Sequence, residues 1–327
     1  MRALVTGASG YIGGHLVKRL SEDEVETRAF VRNTSNITKL KELENVEICY
    51  GDLTDFSSLE KAVRGIQVVY HIGGLASDWG DYRDFYRVNY LGTKNTLQAS
   101  VDSHIEKFIY LSTMGVQDLK GSSVIQEDQP YGRFTGNYLR SKAKAEQYVR
   151  RYSHLLPTVI IRPPAVYGPG DPLCTTRALR FAQRNLMLLI SRGRGIFPHV
   201  YIDNLVDALC LANQNESAVG EIFNLTDGED TSTGEFFTNL NHIAGKGNIR
   251  LMFPYPIAWG VALLMDIFAR LTGKHPLLSR VAFKFLTLKC RFDISKARNK
   301  LGYNPAVSLN EGMRRIKLWW DSKYYSQ

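Results

Sequence analysis

Seven residues from its start the chain closes Gly7-Ala8-Ser9-Gly10-Tyr11-Ile12-Gly13, a glycine loop set between the apolar run Ala3-Leu4-Val5 and a helix-like segment from Ile12 to Leu20. A dinucleotide pyrophosphate needs that order: free backbone N–H groups and the positive end of a helix meet at the turn, and glycine lets the backbone come close. The spacing, G-x-x-G-x-x-G, is one residue wider at its start than the common dinucleotide fingerprint. With 27 glycines in 327 residues, chance would give about 0.2 such triplets in the chain, and the flanking strand and helix lower that several-fold. The competing reading is a flexible N-terminal turn.

The chain beyond the loop supports a β-α-β start. Over the first 165 residues, short β-rich or apolar runs (Ala3–Thr6, Thr27–Val31, Val46–Tyr50, Val68–Ile72, Lys107–Ser112, Thr158–Arg162) alternate with helix-length segments such as Leu59–Val63 and Asn89–Val101. Strands separated by helices imply right-handed crossovers and a parallel sheet covered on both faces. The expected fold is α/β, a doubly wound parallel sheet of Rossmann type with a smaller, discontinuous mixed α/β C-terminal substrate domain. Gly168-Pro169-Gly170-Asp171-Pro172 breaks the alternation. The division expected is 1–167 for dinucleotide binding, with 200–227 returning to the sheet, and 168–199 with 228–327 for substrate.

Composition narrows the classes. A hydrophobic content of 44% is that of a globular chain with a sizeable core. Cys49, Cys174, Cys210 and Cys290 have no C-x-x-C spacing and read as reduced thiols rather than a disulfide framework or a metal site. The first strand begins almost at Met1, so no leader is expected, and no uninterrupted apolar stretch reaches 18 residues; a cytoplasmic protein is the expectation. From Leu271 to Gln327 there are twelve Lys and Arg against three acids, which equals the excess of +9 for the whole chain. No nucleic-acid-binding module accompanies that basic end, so a solvated basic face is expected, with peripheral contact to anionic lipid as the alternative.

The residues after the second strand are Arg32-Asn33-Thr34-Ser35. An acid there would accept from the 2′-hydroxyl of NAD, whereas Arg32, with Asn33 and Ser35 as further donors, suits the 2′-phosphate of NADP. NADP(H) is therefore favoured, with NAD(H) as the alternative. Asp52, after the third strand, reads either as an acceptor for the adenine amino group or as the N-cap of the next helix.

Tyr138-Leu139-Arg140-Ser141-Lys142 puts a phenol and an ammonium four residues apart, on one face of a helix. An adjacent cation favours the phenolate and is expected to lower the phenol from its usual value near 10. Tyr90-x-x-x-Lys94 has the same spacing. Only Tyr138 follows a strand ending in hydroxyls, Tyr110-Leu111-Ser112-Thr113, so that both converge at the edge where such sheets bind ligands.

Taken together with Gly51-Asp52-Leu53, Val69-Tyr70-His71-Ile72-Gly73-Gly74, Val88-Asn89-Tyr90-Leu91-Gly92-Thr93, Arg162-Pro163-Pro164-Ala165-Val166-Tyr167-Gly168-Pro169-Gly170-Asp171 and Tyr201-Ile202-Asp203-Asn204-Leu205-Val206-Asp207-Ala208, these motifs resemble the extended short-chain dehydrogenase/reductases, which include nucleotide-sugar epimerases and dehydratases. The resemblance covers nearly the whole length. It implies Tyr138 as general acid in carbonyl reduction and base in alcohol oxidation, Lys142 as its modulator and holder of the nicotinamide ribose, and Thr113 as hydrogen-bond partner of the substrate oxygen. It also implies cofactor contacts from Gly7, Gly10, Tyr11, Ile12, Gly13, Asp52, Leu53, Ile72, Gly73, Gly74 and Asn89. Pro164, Ala165 and Val166 would pass close to the nicotinamide by backbone, and Ser112 is a structural or cofactor contact. Gly73-Gly74 replaces the usual pair of alanines, which would leave more room beside the phosphates. His71 reads as a packed, hydrogen-bonded residue, not an acid/base, and the loop 121–137, with Glu127 and Asp128, as the rim of the substrate cleft.

The last third holds the apolar run Pro254–Phe268 and then Val281-Ala282-Phe283-Lys284-Phe285-Leu286. Such a stripe ordinarily packs on the core; a pocket for an apolar substrate or a lid touching membrane are the alternatives. With Phe292–Arg298 and Leu301–Pro305, the pattern resembles the 3β-hydroxysteroid dehydrogenase-like branch. The function expected is an NADP(H)-dependent oxidoreductase interconverting a ketone or aldehyde and an alcohol on a lipophilic, sterol-like or keto-lipid substrate. The alternatives are a nucleotide-sugar epimerase or dehydratase with bound NAD, to which Arg177, Arg192 and Arg194 could offer diphosphate contacts, and a non-catalytic cofactor-sensing protein. The resemblance also implies a homodimer, and from the scattered cysteines no bound metal is expected.

Overall fold

Apolar runs bounded by turn residues become parallel strands in this chain because helices cover both faces of the sheet they build. The structure is a computed structural model and describes residues 1–120, 123–133 and 136–324. Strands β1 (Arg2–Thr6), β2 (Glu26–Val31), β3 (Val46–Tyr50), β4 (Val68–His71), β5 (Lys107–Leu111), β6 (Thr158–Arg162) and β7 (Ile222–Asn224) pair in parallel in the order β3-β2-β1-β4-β5-β6-β7. The order reverses between β1 and β4, the point beyond whose strand ends such open sheets bind their ligands. Every residue of β4, β5 and β6 is buried.

On one face, α1 (Tyr11–Glu22) and α6 (Ile202–Gln214) bury Leu16, Val17, Leu20, Leu205 and Leu209. On the other, α2 (Phe56–Val63), α3 (Gly92–Asp102) and α4 (Asn137–Tyr152) bury Leu59, Val63, Leu97, Ala145 and Val149. Asp55, not Asp52, caps α2: its carboxylate accepts from Ser57 N at 3.1 Å. The cap expected of Asp52 is thus supplied three residues later, while Asp52 closes a local turn onto Thr54.

Beyond β6 the chain leaves the main sheet. Ala165–Tyr167 pairs with His199–Tyr201 in a separate two-stranded ladder, and the return to the sheet is made by α6 and β7. Leu188–Ile190 pairs with Leu251–Phe253, and Val124–Ile125 with Arg291–Phe292. Helices α5 (Thr175–Gln183), α7 (Thr233–Ile243), α8 (Tyr255–Thr272), α9 (Arg280–Leu286) and α10 (Leu309–Tyr324) complete this part. Much of the basic end is locally neutralised: Lys296 and Lys300 meet Glu221, Arg314 and Arg315 meet Glu311, and Lys317 meets Asp321.

The apolar run expected to pack on the core does so only along the small residues Ala258, Ala262 and Ala269 and the acid Asp266; the large apolar side chains of α8 stay outside. By length and composition alone α8 is apolar enough to cross a membrane, although the sequence has no uninterrupted apolar stretch of that length, because Asp266 and Arg270 are its only charges.

Candidate active site

The glycine loop is fixed by close approach. Gly7 has φ +68°, and a Cβ there would lie 2.7 Å from Gly73 Cα; a Cβ on Gly13 would lie 2.2 Å from the Gly7 carbonyl oxygen. Gly73 is itself hemmed in: its Cβ would meet Leu53 Cδ1 at 3.0 Å and Thr6 Oγ1 at 3.1 Å. Its smallness therefore lets β1 and β4 close on each other, and it does not open room beside the phosphates as expected. Gly10 begins α1 with no side-chain cap, and the first turn carries no acid. Those first-turn amides are left for an anion, so the loop fits a dinucleotide pyrophosphate. Tyr11 adds a buried hydroxyl without a hydrogen-bond partner among the described residues.

Behind the loop a polar rod crosses the switch point. Thr93 Oγ1 donates to the Asn89 carbonyl at 2.6 Å, so it accepts from His71 Nε2 at 2.9 Å; His71 Nδ1 then accepts from Thr6 Oγ1 at 2.9 Å, and Thr6 Oγ1 accepts from Gly73 N at 3.0 Å. Burial, with Lys142 nearby, pushes the imidazole down to about 3. His71 is a neutral crossbar.

At the adenosine end, Ser9 Oγ donates to Ser35 Oγ at 3.0 Å and ties the glycine loop to the Arg32 turn. Arg32 and Asn33 are exposed. The Thr54 amide and hydroxyl hold the Asp52 carboxyl below its ordinary range, and the charges of Arg32 and Arg87 act in the same direction. Arg87 was missed by sequence reasoning, although it stands just ahead of the Val88-Asn89 motif.

Asn89, expected at the cofactor, directs its amide to partners within the protein. Nδ2 donates to the Leu75 carbonyl at 3.0 Å and to Ser141 Oγ at 2.9 Å, and Oδ1 accepts from Leu75 N at 2.7 Å. These bonds clamp the loop leaving β4 to the helix carrying Tyr138. Ile72 is half-buried and Gly74 is exposed on that same loop.

Tyr138, Lys142 and Glu146 recur every four residues and share the sheet-facing side of α4. The half-buried Thr113, just past β5, accepts from Gly115 N at 3.3 Å, and a Cβ on Gly115 would touch Leu139 Cδ2 at 2.6 Å; the exit of β5 is thereby packed against the first turn of α4. Pro164, Ala165 and Val166 lie half-buried past β6, where Met114 N donates to the Pro163 carbonyl at 3.0 Å. Of the expected cleft rim, Gly121, Ser122, Phe134 and Thr135 lie outside the described residues. Glu127 there is structural, accepting from Asn224 N at 2.9 Å.

The electrostatics of the pair differ from expectation. Burial pushes the Tyr138 phenol up to about 12, and burial pushes the Lys142 ammonium down to about 7 against the pull of Glu146. Lys142 Nζ donates to the Leu111 carbonyl at 2.5 Å and lies 4.2 Å from the Tyr110 ring centroid. Desolvation thus dominates both groups, and the expected lowering of the phenol by the cation is absent.

Ser112 Oγ donates to Glu146 Oε2 at 2.5 Å, a structural contact. Glu146 and Arg162 form a fully buried ion pair at 2.6 Å, to which Tyr131 donates at 2.9 Å. Sequence reasoning missed this pair; the signals were an acid four residues beyond Lys142 and an arginine ending an otherwise apolar strand. Asp78 was missed as well. It meets Arg177 at 3.5 Å, His275 at 2.9 Å and Ser279 at 2.8 Å, joining the loop after β4 to the α8–α9 connection. Arg177 also donates to the Leu277 carbonyl at 3.0 Å. No cluster of metal-ligating side chains occurs among the described residues.

The profile of the 3-beta hydroxysteroid dehydrogenase/isomerase family matches residues 4–245. A 2-alkyl-3-oxoalkanoate reductase of Stenotrophomonas maltophilia is 30% identical, over 97% of this chain and 98% of its own. The sterol-4-alpha-carboxylate 3-dehydrogenase, decarboxylating, of Mus musculus is 26% identical over 96% of this chain and 89% of its own. Among solved structures, the UDP-glucose 4-epimerase of Thermotoga maritima superposes with a TM-score of 0.80 at 22% identity, covering 99% and 100% of the two chains, a likeness of fold.

Proposed function

The chain belongs to the 3-beta hydroxysteroid dehydrogenase/isomerase family of NAD(P)-dependent oxidoreductases acting on CH–OH groups, and within it we propose an NADP(H)-dependent enzyme that interconverts a ketone or aldehyde and an alcohol on a lipophilic, sterol-like or keto-lipid substrate. The observation that supports the reading is that the end of β5, carrying Thr113, packs through Gly115 on Leu139 of the helix that bears Tyr138 and Lys142, while the glycine loop is left uncapped. The names of the two relatives, a 3-oxoalkanoate reductase and a sterol 3-dehydrogenase, support a carbonyl or carbinol on an apolar skeleton.

Gly7, Gly10 and Gly13 would hold the pyrophosphate, and Arg32 with Arg87 would face the 2′-phosphate of the adenosine ribose. The dinucleotide, when bound, supplies hydride-transfer chemistry at the substrate carbon. Thr113 would hold the substrate oxygen by hydrogen bond, and Tyr138 would give that oxygen its proton in reduction and remove it in oxidation. A phenol near 12 is in its protonated, donating form at neutral pH, which suits the reducing direction.

A panel of 2-alkyl-3-oxoacids, keto-sterols and small ketones, assayed with NADPH and NADH, tests the reading. Turnover of an apolar ketone with NADPH preferred is expected, and Tyr138→Phe should lower kcat/KM by about 10²–10⁴. Arg32→Glu should weaken NADPH far more than NADH. Equal affinity of the wild type for both would refute the cofactor assignment, and stoichiometric, non-exchanging NAD in the purified protein would favour the epimerase alternative.

A further inference from the structure

A helix at the edge of a core usually turns its large apolar residues inward; α8 is built the other way round. Ala258, Ala262, Asp266 and Ala269 face the protein, while Ile257, Leu264, Phe268 and Leu271 form one stripe on the opposite side, with Leu264 67% and Leu271 81% exposed. Of seventeen large apolar side chains exposed among the described residues, ten fall between Leu251 and Leu277. The charges around them have one sign. Asp266 is the only acid between Lys246 and Leu277, and it is buried against Arg280 at 2.6 Å. Arg250 stands exposed ahead of the stripe, and Arg270 and Lys274 stand exposed at its far end.

We propose that α8 docks the protein on an anionic lipid bilayer, lying in the interface with its stripe at the acyl boundary and Arg250, Arg270 and Lys274 among the headgroups. Spanning is opposed by the inward face, which packs on the fold through the Asp266–Arg280 pair and the Tyr255–Phe283 ring contact at 5.0 Å. A second copy laid antiparallel on the same face would set cations of one helix end against cations of the other, with no exposed acid to pair them. Lipid phosphates complement both ends at once.

The docked helix leads directly to the site. In α9, next along the chain, Val281 and Phe285 fill the space over two glycines beside the catalytic helix: a Cβ on Gly136 would lie 2.5 Å from Val281 Cγ2, and one on Gly115 2.9 Å from Phe285 Cζ. A lipophilic substrate dissolved in the bilayer then has a short path to Thr113 and Tyr138. That path rests on the proposed function; the docking does not.

The test is flotation of the full chain with vesicles of phosphatidylcholine containing about one-third phosphatidylglycerol, beside vesicles of phosphatidylcholine alone. The wild type should float with the anionic vesicles and release at high salt. Leu264→Glu/Phe268→Glu should weaken that partitioning about tenfold or more, with an unchanged thermal melt showing that the variant is folded. Arg270→Glu/Lys274→Glu should lose the preference for anionic over neutral vesicles. A wild type that stays unbound, or a double variant that floats equally well, overturns the proposal. A dimer in solution that Leu264→Glu/Phe268→Glu dissociates, without vesicle binding by the wild type, would assign the face to a second copy.

Discussion

Replacing Lys142 by Met is expected to abolish turnover and yet to stabilise the fold at neutral pH. Lys142 is 6% exposed, and burial lowers its ammonium from 10.5 to about 7, while in the unfolded chain it returns to about 10.4. Between those two values the unfolded state binds more protons than the folded state, so stability rises with pH across that window. Below about 7 both states are protonated and the full desolvation penalty applies. From pH 6.5 to 9.5 the wild type should therefore gain about 3 kcal/mol relative to Lys142→Met, in which the other titrations cancel. The hydrogen bond to the Leu111 carbonyl and the contact with the Tyr110 ring offset part of the penalty; a net advantage of about 1–3 kcal/mol for the variant is expected at pH 6.5. Reversible urea denaturation of both proteins without dinucleotide, at several pH values, measures the difference. A difference constant to within about 0.5 kcal/mol over that range would mean that Lys142 is not desolvated as described.

Other predictions concern the framework. Arg162→Met leaves the Glu146 carboxylate buried beside Ser112 and Tyr131 without its cation and should destabilise by about 3–5 kcal/mol in denaturant; adding Glu146→Gln should recover part of that loss, and no recovery would count against the pair. Gly7→Ala forces a Cβ into Gly73 at positive φ and should cost about 2 kcal/mol or more, together with measurable loss of dinucleotide affinity by calorimetry. Asp78→Leu should free the α8–α9 connection, raising hydrogen exchange over residues 275–286 while leaving that of β1 and β4 unchanged.

The parallel sheet, the glycine loop and the Tyr138/Lys142 helix were legible because each is a local pattern: apolar runs between turns, three glycines, a four-residue spacing. What the sequence did not yield depends on packing between distant residues. Asp78 meets partners about a hundred and two hundred residues away, and no local spacing announces them. Arg162 looked like the end of a strand until Glu146 was set opposite it. Asn89 sits in the right motif, but whether its amide faces a ligand or Leu75 and Ser141 is decided by the loop it clamps. The titration of Tyr138 was predicted from the charge of Lys142, whereas burial, a property of the surrounding fold, dominates both groups. For α8 the composition was plain and the direction was not: alanines and large apolar residues alternate on its surface, and only the fold decides which side is covered.

The Asp78 junction also bears on how such a protein can change over evolutionary time. A single carboxylate fastens the α8–α9 roof to the loop leaving β4, through Arg177, His275 and Ser279. The outward residues of α8 take no part in that attachment and can drift without loosening it, while the buried crossbar of Thr6, His71 and Thr93 stays as it is. Roof and floor can then change at different rates, with Asp78 as one of the points that join them.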